Sequence, residues 1–124
     1  MTTYFLVLGS NHAPARHLRL ACARLRERFD VHAATPARRT RADDGTRYVN
    51  AAVRINSDVD AVALRDALHA FEAEAGRVRG AALVALDIDL VASVAEDGAV
   101  VVHKPEDLRR GYVRALLAQV DYPP

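Results

Sequence analysis

Residues 85–90 read Ala85-Leu86-Asp87-Ile88-Asp89-Leu90. Apolar and acidic side chains alternate with period two, the pattern of a strand with one buried face. Leu86, Ile88 and Leu90 then point into a core, and Asp87 and Asp89 share the opposite face. Strand rise places the two aspartate Cα atoms roughly 6–7 Å apart. Carboxylates at that spacing repel each other unless a cation or a proton relieves them. Hard divalent ions are bound through one or two carboxylates together with substrate phosphates. The stretch alone leaves two readings: a solvated strand face carrying two acids, or one wall of a metal–phosphate site.

Strands and helices alternate on either side of it. Residues 4–9 read as a buried strand. Asn11 and Pro14 have the residue types that open a helix. Leu18, Cys22, Leu25 and Phe29 form that helix's apolar stripe, and arginines fill much of the remainder. Five arginines on one helix invite a nucleic-acid reading. A solvated helix face is the preferred reading, and the aromatic strand signature of RNA-binding modules is missing. Residues 31–34 form a second strand that Pro36 ends. Residues 38–47 are polar, contain Asp43-Asp44-Gly45 and read as a mobile loop.

Residues 48–55 form a third strand. A second helix follows, capped by Ser57 or Asp58, striped by Leu64, Leu68, Phe71 and Ala75, and ended by Gly76. The acidic strand spans residues 82–94, and Asp97-Gly98 turns it into residues 99–102. Residues 105–120 are helical at least in part, with Leu108, Val113 and Leu116 or Leu117 as candidate core contacts. The order strand–helix–strand–strand–helix–strand predicts an α+β, ferredoxin-like split β-α-β sheet. One domain over residues 1–124 is expected, since no linker, repeat or low-complexity tract interrupts the chain.

Composition narrows the function classes. Apolar residues make up 51% and charged residues 27% of the 124, with a formal net charge of +1. Bulk attraction to nucleic acid or to a membrane surface is therefore not expected. Cys22 is the only cysteine, so no internal disulfide can form. That is compatible with a reducing cytoplasm, the compartment expected here. The opening apolar run is too short for a signal peptide, and no span approaches membrane length.

Several blocks occur in a telling order: Tyr4-Phe5-Leu6-Val7-Leu8-Gly9-Ser10-Asn11, Thr35-Pro36-Ala37, Tyr48-Val49-Asn50-Ala51-Ala52-Val53, Glu72 with Gly76-Arg77-Val78-Arg79, the acidic strand, and His103 with Arg110-Gly111-Tyr112. Together they resemble the 6-hydroxymethyl-7,8-dihydropterin pyrophosphokinase family of folate biosynthesis, over nearly the whole chain. The family adds a hairpin and a C-terminal helix to the ferredoxin-like sheet, and this chain has sequence for both.

The resemblance implies that the pterin hydroxymethyl oxygen attacks the β-phosphorus of ATP and AMP leaves. Such a reaction asks a protein mainly for positioning and charge neutralisation. Asp87 and Asp89 match the family's metal-binding aspartates, so two Mg²⁺ ions are expected with ATP. Arg77, Arg79, His103 and Arg110 match or adjoin its phosphate-handling positions. The interval from His103 is slightly long, which leaves Arg109 as the alternative to Arg110. Asp87, Asp89, Arg77 and Arg110 are the expected catalytic set. Tyr48 and Tyr112 match the rings that sandwich the pterin. Asn50 matches the amide that offers a donor and an acceptor to its edge. Backbone groups of Thr35 and Ala37 complete that edge. Glu72 matches a helix acid that either supports Arg77 or faces solvent. His12, His17, His32 and His69 lack metal-ligand spacing. The expected partners are ATP and a dihydropterin, without nucleic acid or membrane, in a monomer or weak homo-oligomer.

One departure matters. The family carries a Trp-Gly-Pro-Arg-Thr-like segment before its acidic strand, where this chain has Gly80-Ala81-Ala82-Leu83-Val84-Ala85. Val84 stands in the place of the arginine, and the preceding loop, which closes over ATP, is short. Retention of both aspartates favours a pyrophosphokinase of weakened activity. Loss of the arginine favours a non-catalytic pterin- or nucleotide-binding relative. The available substitute for the lid is the 38–47 segment, with Arg38, Arg39, Arg41 and Arg47.

Overall fold

The computed structural model describes residues 1–124. Its elements are β1 (Thr2–Ser10), α1 (Pro14–Arg28), β2 (Asp30–Ala34), β3 (Arg38–Arg41), β4 (Arg47–Ser57), α2 (Ala61–Glu74), β5 (Asp87–Val94), β6 (Val100–Val102) and α3 (Gly111–Ala118). A 3-10 turn, Asp107–Arg109, precedes α3. The strand order is β2-β4-β1-β5-β6, with β3 added to the first half of β4. Every neighbouring pair is antiparallel. The connection through α1 therefore crosses β4, and the connection through α2 crosses β1. Two interleaved β-α-β units of this kind make the ferredoxin-like α+β fold that the element order predicts.

β1 is buried without a break from Tyr4 through Ser10, as a strand covered on both faces must be. On one face Tyr4, Leu6 and Leu8 pack with Leu18 and Leu25 of α1, Leu64, Leu68 and Phe71 of α2, and Leu86, Ile88 and Leu90. On the other, Phe5 and Val7 pack with Val91 and with Val113, Leu116 and Leu117 of α3. Each fully buried leucine contributes about 1.5–3 kcal/mol. Packing of this kind, rather than propensity, sustains a helix as short as the 8-residue α3. The alternation from Leu86 into β5 is as expected: Leu86, Ile88 and Leu90 are buried, while Asp87 and Asp89 lie half-buried on the α3 face.

Four local expectations are corrected. The 38–47 stretch is not wholly a loop, because Arg38–Arg41 pairs with Arg47–Asn50 as β3. Arg-Arg-Thr-Arg carries no apolar alternation, so only its partner strand reveals it as a strand. Asn11 does not cap α1; Ala13 holds the N-cap position, and Asn11 bonds Val84 and Ala82 across the molecule. α2 is capped by Asp60, not Ser57 or Asp58, through a 2.8 Å bond from Ala63 N–H to its carboxylate. The acidic strand begins at Asp87 rather than at 82, and residues 77–86 lie outside helix and strand. Gly76 does end α2 in the left-handed region, at φ 90°.

The register of β5 against β1 slips between Phe5 and Leu6, which pair with Ala92 and Leu90. Val91 is the extra residue of this bulge. Its carbonyl accepts the N–H groups of both His103 (2.8 Å) and Lys104 (3.2 Å), which fixes the chain beyond β6 beside the aspartates.

Replacing the cap, Asp60→Ala, should lower the unfolding free energy by about 1 kcal/mol. The readout is a lower urea midpoint with an unchanged slope. An unchanged midpoint would show that the cap adds nothing.

Candidate functional site

Three strands meet side by side at the end of the sheet. Gly9 of β1 pairs with Asn50 of β4 on one side and with Asp87 of β5 on the other. Val7 likewise lies between Ala52 and Asp89. Gly9 thus forms a floor between an amide and a carboxylate, and it must be small. A Cβ on Gly9 would stand 2.7 Å from Asn50 Nδ2.

Above this floor a cavity of about 250 Å³ opens on the α3 face. It brings together Tyr48, Asn50, Arg77, Asp87, Asp89, Arg110 and Tyr112, from segments far apart in the chain. Arg110 rather than Arg109 lines it, and Val84 forms part of its wall. Thr35 and Ala37 are not there; they line a groove between α1 and β4. The Thr35 N–H is already committed to the Ala52 carbonyl at 2.9 Å, and its hydroxyl accepts the Ala52 N–H. Arg39, Arg41 and Arg47 line a separate open depression beside the start of α1.

Asn50 is buried and oriented. Its Nδ2 donates to the Leu8 carbonyl at 3.1 Å, and its Oδ1 accepts from the Thr40 hydroxyl. One amide hydrogen and one lone pair stay free to face the cavity. Thr40 escaped the sequence reading because it lies in β3.

Each aspartate carries its own protein cation. Arg77 Nη1 donates to Asp87 Oδ1 at 3.1 Å and to the Leu86 carbonyl at 3.0 Å, while its Nε is buried without a partner. Lys104 Nζ donates to Asp89 Oδ1. Burial, then the neighbouring Asp87 charge, pushes the Asp89 carboxyl up to about 7. Burial also works to raise Asp87, but hydrogen bonds from Asp89 and Arg77 outweigh it and hold Asp87 below the usual carboxylate value. Glu72 does not face solvent. It is buried and accepts from Arg79 at 2.5 Å and from the Ile88 N–H at 2.7 Å, with Arg77 at 3.9 Å.

A second, smaller cavity, of about 90 Å³, lies where β5 runs past the end of β6, under α2. Arg65, His69, Glu72, Arg79 and Lys104 line it, and so do Asp87 and Asp89. The acidic pair is therefore the common wall of an aromatic, amide-lined cavity and a cation-lined one. His103 lines neither cavity. Arg65 can only donate, so His103 Nδ1 accepts from it at 3.0 Å and Nε2–H donates to Ser93 Oγ at 2.9 Å. Burial and the Arg65 charge hold the His103 pKa below its usual value, which keeps this neutral tautomer.

No group of three or more metal-ligating side chains is present. Two carboxylates with open oxygen lone pairs still fit a hard divalent ion that takes its other ligands from phosphates and water. The pair can bind such an ion only together with a phosphate donor or solvent. Asp107, which sequence reading missed, is buried in the first cavity's wall with Arg110 at 3.4 Å, and burial pushes its carboxyl up. Lys104 and Arg65 were missed as well. Only the fold brings Lys104 to Asp89, across 15 positions.

The segment before β5 is tied to Asn11. Asn11 Oδ1 accepts the Val84 N–H at 2.5 Å, and the Asn11 N–H and Nδ2 donate to the carbonyls of Val84 and Ala82, each at 3.0 Å.

A family model described as 7,8-dihydro-6-hydroxymethylpterin-pyrophosphokinase matches residues 5–122. A search of curated proteins finds no match. No helix is long and apolar enough to cross a membrane. The family's reaction is pyrophosphoryl transfer from ATP to hydroxymethyldihydropterin in folate synthesis. A match over that span, on a ferredoxin-like sheet with an acidic pair at its end, means that this chain belongs to the 7,8-dihydro-6-hydroxymethylpterin-pyrophosphokinase family.

Proposed function

We propose that this chain catalyses Mg²⁺-dependent transfer of pyrophosphate from ATP to 6-hydroxymethyl-7,8-dihydropterin, releasing AMP. The observation that carries the reading is that Asp87 and Asp89 line both cavities at once. A ligand in the first cavity and a ligand in the second would meet across the carboxylates.

Tyr48 and Tyr112 supply faces for a flat heterocycle. Asn50, held by Leu8 and Thr40, offers its edge a donor and an acceptor. Thr35 and Ala37 contribute only if the β2–β3 connection moves toward this cavity. The triphosphate occupies the cation-lined side, where Arg79 is held by Glu72 and Arg65 by His103. Arg77 and Arg110 face the junction from the first cavity. Bound Mg²⁺ would supply charge neutralisation for the attacking and leaving oxygens. The hydroxymethyl oxygen forms its bond to the β-phosphorus as the bond from that phosphorus to the α,β-bridging oxygen breaks; AMP carries that oxygen away, and the hydroxyl proton is released to solvent. The protein positions the two ligands and spreads the charge.

A second reading, a non-catalytic binding relative, rests on Val84. That residue puts an apolar side chain in the first cavity's wall and is fixed there by Asn11. Both carboxylates favour the enzyme, because binding a pterin alone requires no metal pair.

With saturating ATP, Mg²⁺ and the dihydropterin, the chain should form AMP and the pterin diphosphate in equal amounts. Asp87→Asn and Asp89→Asn should each abolish this and also abolish Mg²⁺-dependent nucleotide binding, with melting curves that still show a folded protein. No AMP from the wild-type chain leaves the binding relative as the reading that stands.

The Gly9 floor gives an independent check. Gly9→Ala should push Asn50 off its hydrogen bonds and weaken pterin binding by about tenfold or more. Nucleotide affinity should stay within about twofold, since the second cavity is untouched. Equal losses for both ligands would argue against separate cavities.

A further inference from the structure

Asp87 and Asp89 are neutralised in different ways. Arg77 is rigidly placed: it bonds Asp87 and the Leu86 carbonyl, and its side chain is only 16% exposed. Lys104 makes one side-chain bond, to Asp89, and its side chain is 41% exposed. Its backbone is pinned by the Val91 carbonyl at the bulge, so the ammonium swings on a fixed root. A lysine head is a compact charge on a flexible stem, whereas an arginine fork is held by its geometry. Lys104 also lines the cation-lined cavity, opposite Arg79 and Arg65.

A divalent ion on Asp89 would have to share the carboxylate with this ammonium. At a few ångströms the like charges repel strongly. A bare metal ion therefore enters against Lys104. A metal ion that arrives with a triphosphate brings anionic oxygens to which the ammonium can turn. The carboxylate exchanges one cation for another, and Lys104 exchanges one anion for another.

We propose that Lys104 is a transferable counter-ion: it holds Asp89 while the site is empty, opposes entry of metal alone, and moves to the polyphosphate when nucleotide and metal bind together. This rests on Asp89 being a metal ligand, as in the function proposed above. Nucleotide-free metal binding is weak by construction, so the metal comes with its phosphate.

The test compares Lys104→Gln and Lys104→Arg with the wild-type chain in two titrations. The first uses Mn²⁺ alone, followed by electron paramagnetic resonance. The second uses Mg²⁺ with a non-hydrolysable ATP analogue, followed by calorimetry. In Lys104→Gln, Mn²⁺ alone should bind about tenfold more tightly, because a like charge has left the site. The Mg²⁺–analogue complex should bind about fivefold more weakly, because a phosphate contact is lost. Lys104→Arg should keep metal-alone binding as weak as in the wild type. A residue that only braced the fold would move both affinities in the same direction. The proposal is overturned if Lys104→Gln leaves Mn²⁺ affinity unchanged or weakens it, or if analogue binding does not fall. Adding Asp89→Asn to Lys104→Gln should erase the gain for Mn²⁺; a gain that survives places the metal elsewhere and overturns the proposal as well. The expected opposite shifts in a wild-type chain that forms no AMP would support the counter-ion and reject the kinase.

Discussion

Repulsion between two neighbouring carboxylates organises this molecule's functional end. The strand pleat puts Asp87 and Asp89 on one face, and nothing within β5 can separate them. The pair must be compensated, and the surrounding residues do so. Arg77 bonds Asp87 and Lys104 bonds Asp89. Glu72, buried at the end of α2, bonds the Ile88 N–H between the aspartates and anchors Arg79. The bulge at Val91 turns the chain so that Lys104 arrives at the right height. These features sit on three separate segments, and each makes sense only with the aspartates in place.

Much of this was legible in residue order. Period-two alternation located β5 and assigned its faces, and Gly76 marked the end of α2, because both signals are local. Tyr48, Asn50 and Tyr112 were matched as a set before any geometry, and they share a cavity. What sequence could not reveal is non-local. β3 is a strand only because β4 offers it a partner. Asn11 looks like a helix cap, yet its side chain finds better partners 71 and 73 positions away. Lys104 follows a histidine at a strand exit, and nothing in that dipeptide announces a carboxylate across the sheet. Thr35 and Ala37 fall outside the cavity because the Thr35 N–H pairs with β4.

The short segment before β5 changes how charge is handled. A long arginine-bearing loop could close over a triphosphate; here residues 82–84 are tied to Asn11. The hairpin arginines are not arranged as a replacement, since Arg39, Arg41 and Arg47 line a different depression. The cations that do face the second cavity are held from behind: Arg79 by Glu72, Arg65 by His103, and Lys104 by the Asp89 carboxylate. Charges placed before a ligand arrives cost little reorganisation when it binds.

The measurement that bears most directly on the shared acidic wall is a double calorimetric titration. A non-hydrolysable ATP analogue with Mg²⁺ is titrated into the chain with and without saturating 6-hydroxymethyl-7,8-dihydropterin. The expected result is simultaneous binding, one of each ligand per chain, with each tightening the other, and with Mg²⁺–analogue binding, and so the coupling, lost in Asp89→Asn. Mutually exclusive binding would contradict two cavities meeting at one carboxylate pair, and independent binding that is indifferent to Asp89→Asn would show that the pair does not join them.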